Sequence, residues 1–147
     1  MTDPLALDRQ VCFAIAVASR SVISVYRPVL EPLGLTHPQY LVMLALWERS
    51  PRRVGDLAET LFLEPATLSP LLKRLEANGL ISRVRSVTDE RSVDVNLTEA
   101  GRELRARAEQ VPAAIVDRLG VPLATLEGVR DELTQLIDAA VAATSRG

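Results

Sequence analysis

The sequence predicts a mainly α-helical chain carrying one small β-hairpin. Three observations predict it. Apolar residues recur at 3-4-3-4 spacing near both ends of the chain. Capping and stop signals divide the middle into three shorter helices. After Gly79 the spacing changes to strand-like alternation.

The first helix is expected over about residues 7–26, with Cys12, Ile15, Ser19, Val22 and Tyr26 on one face and Pro28 ending it. Thr36 opens the second, with Gln39 as a capping-box partner and Pro38 in the first turn. It carries Tyr40, Leu41, Leu44 and Trp47, the last as a core residue, and stops near Ser50-Pro51. A short helix over 54–61 turns Leu57, Ala58 and Leu61 inward. A turn at Phe62-Leu63 leads to another over 65–77, with Leu68, Leu71, Leu72 and Leu75 as its buried stripe. Pro70 predicts a kink or a late start there, and Asn78-Gly79 a stop. Residues 80–85 and 92–97 alternate as two strands around the polar turn SVTDER. Thr98 caps a helix carrying Leu104, Ala108, Val111 and Ile115, bent at Pro112. A last helix after Pro122 repeats Leu126, Val129, Leu133, Leu136 and Ala140, and residues 144–147 fray.

Composition narrows the function. At 147 residues, 48% apolar and 24% charged, the chain fits one globular domain. Its longest apolar run is eight residues, against the ~20 of a membrane span, and MTDPLALDRQ has no basic-then-apolar leader. A cytoplasmic protein with no membrane partner is expected. One Cys and one His exclude an intrachain disulfide and a Cys/His zinc cluster, so neither metal nor cofactor is expected. A net charge of −2 argues against coating nucleic acid by bulk charge. Locally, however, residues 65–88 set Lys73, Arg74, Arg83 and Arg85 against Glu76 alone.

Helix, helix, turn, helix and then a hairpin is the order of a winged helix-turn-helix. Its third helix fits the ~12 Å major groove while the wing reaches a neighbouring groove. Pro65, Thr67, Leu68, Ser69, Pro70, Lys73 and Arg74 are therefore candidate DNA contacts, by hydroxyl, apolar or phosphate interaction. Arg91 at the wing tip suits a narrow minor groove, with Asp89 placed to hold its guanidinium, and Arg83 and Arg85 complete the basic set. The long apolar stripes at both ends exceed what a ~60-residue winged helix covers, which points to a homodimer. Residues 1–30 and 99–147 would form the dimerisation region and 36–97 the DNA-binding region of one domain.

The stretches LDRQVCFAIAVASR, YRPVLEPLGLTHPQYLVMLALWE and LSPLLKRLEANGLISRVRSVTDERSVDVNLTEAG resemble the MarR family, and within it the OhrR-type, organic-hydroperoxide-sensing branch. The similarity covers roughly residues 7–101. The DER wing and the L-x-P-L-L-K-R-L-E helix belong to the family at large. The early Q-x-C-F, followed by Y-R-P and T-x-P-Q-Y, belongs to the sensing branch.

The resemblance implies that Cys12 reacts with peroxide and that Tyr26, Tyr40 and a further tyrosine before P-Q-Y surround it. That further position is His37 here, and the aromatic residue often found in place of Ala16 is absent. Cys12 and Tyr26 are 14 residues apart on one face, ~21 Å along a helix, so they meet only across a dimer or through a broken helix. The thiol is expected to be partly buried; either His37 replaces the missing tyrosine, favouring the thiolate when protonated, or the network around the thiol is weakened. With no second cysteine, a low-molecular-weight thiol would trap the oxidised form. The reading is a homodimeric repressor of palindromic double-stranded DNA that organic hydroperoxide induces. The alternative is a regulator of the same family answering a small aromatic or phenolic ligand, with Cys12 merely packed. No peroxidase motif is present, and no enzyme activity is expected.

Overall fold

The structure is a computed structural model describing residues 3–89 and 91–146. A one-turn 3-10 helix at Leu7–Arg9 precedes α1 (Val11–Leu30). Then come α2 (His37–Glu48), β1 (Arg52–Arg53), α3 (Val54–Thr60), α4 (Pro65–Ala77), β2 (Ile81–Arg85) and β3 (Val93–Leu97). Helices α5 (Glu99–Ala108), α6 (Val111–Leu119) and α7 (Leu123–Ser145) finish the chain. It divides into two compact units, residues 1–111 and 112–147.

In the first unit α2 is the central strut, packed on α1, α3, α4 and α5. Its start is the expected capping box. The Gln39 amide donates to Thr36 Oγ1, and the Thr36 amide to Gln39 Oε1 at 3.0 Å. Val42, Met43 and Leu46 of α2 are fully buried, as are Leu57, Leu68, Leu72 and Leu75 on the helices α3 and α4 that it packs against. The sheet is antiparallel in the order β1-β3-β2, with Ile81 opposite Leu97 and Arg85 opposite Val93. Three hydrogen bonds tie α5 to the sheet base. Thr98 donates through its hydroxyl to Gly79 O at 2.6 Å and through its amide to Leu80 O at 3.1 Å, and the Gly101 amide donates to Thr98 Oγ1 at 3.1 Å.

Several expectations change. Helix α1 starts later and runs through Pro28 to Leu30, because a proline in the last turn removes only its own N–H, and the Glu31 amide still reaches Arg27 O. Helix α4 likewise runs unbroken across Pro70. The helix after Thr98 is two helices, since Pro112 stands in the first turn of a new one, where its missing N–H costs nothing. The hairpin gains a third strand, the two-residue β1, paired Arg52 to Val95 and Arg53 to Asp94. Arg52 is buried there, donating to Arg49 O and Thr60 Oγ1 beside Asp56. Trp47 is half-buried rather than core, its indole N–H donating to Gly101 O at 2.9 Å. Leu61 and Leu71 are only half-buried, and Leu41 and Leu44 are exposed.

The second unit is mostly α7, which stays helical to Ser145 instead of fraying from Thr144. No described side chain of α7 is buried, although Leu123, Val129, Leu133, Leu136, Ile137 and Val141 are large and apolar. Helix α1 behaves alike: Leu30 alone is buried, while Val11, Phe13, Ile15, Val22 and Ile23 are exposed. Taken with its extension to Leu33, α1 is long and apolar enough to cross a membrane, which its interrupted apolar runs had argued against.

Candidate functional site

The first candidate surface is built on α4. Its 13 residues put Leu68, Leu72 and Leu75 into the core, so Pro65, Thr67, Ser69, Pro70, Lys73 and Arg74 face outward together. Leu68 is 0% exposed, which removes it from the contact set: the residue that anchors the helix cannot also touch a base. Arg83 is largely committed elsewhere. Its guanidinium meets Glu76 Oε1 at 3.1 Å and its amide donates to Glu76 Oε2, and these bonds hold the Glu76 carboxyl below its ordinary pKa. Arg85 lies exposed at the end of β2.

The wing is closed by backbone. The Ser86 amide donates to Ser92 O at 2.9 Å and the Ser92 amide to Asp89 O at 3.0 Å. Asp89 Oδ1 accepts from the Arg91 amide at 3.0 Å and Oδ2 from Ser92 Oγ at 3.2 Å. Asp89 thus clasps the Arg91 backbone, not the expected guanidinium, because an amide two residues on is within reach of so short a side chain. The Arg91 amide, the Ser92 hydroxyl and the charge of Arg53 lower the Asp89 pKa. Arg53 was missed in the sequence because a two-residue strand has no alternation to detect.

The second candidate site is an aromatic cluster where α1 ends and α2 begins. Tyr26 and His37 meet edge to face, 4.9 Å between centroids, with Tyr40 at 5.9 Å from Tyr26 and 6.4 Å from His37. Capping-box geometry sets His37 and Tyr40 one turn apart on α2, so both face the α1 residue Tyr26. Burial raises the pKa of both phenols, the charge of Tyr26 adding to the rise at Tyr40, and burial lowers that of His37. At neutral pH the cluster therefore holds two phenol donors and a neutral imidazole, so the protonated His37 that would favour a thiolate is not its resting form. Cys12 is not among them. It is exposed near the start of α1, not partly buried, and an unbroken helix sets it about 21 Å from Tyr26.

The comparisons with known proteins decide the family. The family model described as transcriptional regulator SarA/Rot matches residues 24–107. The organic hydroperoxide resistance transcriptional regulator of Bacillus subtilis is 44% identical over 114 residues, 78% of each chain. The chain belongs to the MarR family of winged-helix transcriptional regulators. It is a DNA-binding regulator, not an enzyme. Reduced AbfR bound to DNA matches with a TM-score of 0.75 at 34% identity, over 92% of this chain and 94% of that one; AbfR comes from Staphylococcus epidermidis. CouR of Rhodococcus jostii bound to p-coumaroyl-CoA matches with a TM-score of 0.75 at 27% identity, over 90% and 94%.

Proposed function

We propose that this MarR-family regulator is a homodimeric repressor that senses organic hydroperoxides by oxidation of Cys12 and then releases a palindromic operator. The observation that carries the reading is the Tyr26–His37–Tyr40 cluster in a chain whose single cysteine stands on the same helix as Tyr26. The Bacillus relative named for organic hydroperoxide resistance supports it. AbfR, with structures of reduced, overoxidised and disulfide forms, supports a thiol-based response in this fold.

Within one chain the cluster is far from Cys12, so the thiol is served by the cluster of a second copy. The exposed apolar faces of α1 and α7 are the surfaces for that pairing, and their burial would also cover Cys12. Membership in this DNA-binding family favours a partner helix over a bilayer as the cover for α1, and the chain is assigned to the cytoplasm. Exposed α4 residues Pro65, Thr67, Ser69, Pro70, Lys73 and Arg74 enter the major groove, while Arg91, Arg85 and the wing meet the flanking backbone and minor groove.

The chemistry balances without a cofactor. The Cys12 thiolate attacks the outer oxygen of the hydroperoxide; an S–O bond forms, the O–O bond breaks, and the alkoxide takes a proton from a cluster donor and leaves as alcohol. Sulfur is oxidised and the peroxide reduced. The sulfenic acid then condenses with a low-molecular-weight thiol, forming a mixed disulfide and water. The adduct at the dimer core shifts two recognition helices that must span half-sites about 34 Å apart. Mass spectrometry after cumene hydroperoxide tests this. One added oxygen on Cys12, or the mixed disulfide when thiol is present, supports the chemistry; a Cys12 still reduced after the operator has been released contradicts it. Likeness to CouR favours a second reading, response to an aromatic ligand, under which Cys12→Ser leaves induction intact.

A further inference from the structure

The turn between α3 and α4 holds a residue that neither folding nor burial accounts for. The Leu63 amide donates to Ala58 O at 2.9 Å and the Phe62 amide to Glu59 O at 3.2 Å. This paired closure needs a left-handed residue just past the helix cap, and glycine is the usual choice. Here the position is Phe62, at φ 56, the only non-glycine with positive φ among the described residues. A β-carbon is strained in that region. Burial does not compensate, since Phe62 is 71% exposed.

What the closure does is aim an aromatic ring outward three residues before α4 begins. The next exposed side chains along the chain include Thr67, Ser69, Pro70, Lys73 and Arg74, the face read above as the groove-entering one. In helix-turn-helix docking the recognition helix enters by its N-terminal end, so the residue feeding that end stands at the groove rim, beside the backbone rather than over base edges. We propose that Phe62 is a DNA contact, its ring packed against deoxyribose at the rim of the major groove. The inference rests on α4 being the recognition helix. The ring, being uncharged, adds affinity without releasing counterions and without reading sequence.

The test uses the full chain and two duplexes of equal length, one selected by the wild-type protein from a random library and one of random sequence. Fluorescence anisotropy over a salt series compares wild type, Phe62→Ala, Phe62→Gly and Lys73→Ala. Both Phe62 variants should bind both duplexes about fivefold more weakly, with the salt slope of wild type, as expected for a lost apolar contact. Phe62→Gly should also melt above Phe62→Ala, because glycine accepts the left-handed backbone and alanine does not, which separates loss of the ring from loss of the fold. Binding of Phe62→Ala within twofold of wild type, beside a weakened Lys73→Ala, overturns the contact alone. A loss confined to the selected duplex overturns the backbone assignment in favour of a base edge. No effect of either Phe62→Ala or Lys73→Ala overturns the reading of α4 itself.

Discussion

Gly101→Ala should destabilise the chain, although alanine is the better helix former. A β-carbon at Gly101 would stand 2.1 Å from Leu80 O and 3.3 Å from Leu97 Cδ2. The obstructing oxygen cannot rotate away: it belongs to backbone and accepts the Thr98 amide, while Gly101 O accepts the Trp47 indole. Relief requires a shift of about 1 Å between α5 and the start of β2, at the upper end of overpacking costs, about 3 kcal/mol. Helix propensity returns about 1 kcal/mol at most. The net loss of about 2 kcal/mol corresponds to a melting temperature lower by roughly 6 °C for a chain of this size. Circular dichroism melting at one fixed protein concentration measures it, since assembly makes the midpoint concentration-dependent. A variant melting at or above wild type would refute the close approach of α5 to the wing base.

Arg91→Ala should weaken operator binding by about 1–3 kcal/mol without changing the melting temperature, and Lys73→Ala should lower the salt dependence by about one unit; anisotropy titrations at several salt concentrations check both. The pKa of Asp89 is depressed on folding, so its hold on the wing is complete above the ordinary value of 3.8 and is lost as pH falls below it. Amide NMR of Arg91 and Ser92 should follow that acid transition, and in Asp89→Asn it should be absent. Tyr26→Phe should bind DNA normally yet respond to hydroperoxide several-fold more slowly, and His37→Phe should do the same, as stopped-flow oxidation of Cys12 would show; unchanged rates in both remove the cluster from sensing.

Most of the fold was legible because it rests on signals of period or of caps. The Thr36–Gln39 box, the Leu68–Leu72–Leu75 stripe and the alternation after Gly79 each report a local rule that tertiary packing leaves alone. What stayed hidden depends on contacts distant in sequence. Strand β1 exists because Arg52 pairs with Val95, 43 positions on, and Gly101 matters because of Leu80. Leu68 shows two local signals in conflict: it suited both the buried stripe and a thymine methyl, and burial at 0% decides for the stripe. Tyr26, His37 and Tyr40 could be named from sequence, but their meeting within 6.4 Å required the fold of α1 onto α2. The left-handed Phe62 had no sequence signal, since a Phe-Leu turn resembles any other.

The most direct test of hydroperoxide sensing is operator binding before and after a small excess of cumene hydroperoxide, for wild type and Cys12→Ser side by side. The wild type should lose the operator and regain it on reduction with excess thiol, while Cys12→Ser stays bound throughout. A Cys12→Ser protein that leaves the operator with the same oxidant dependence as wild type would contradict the thiol mechanism.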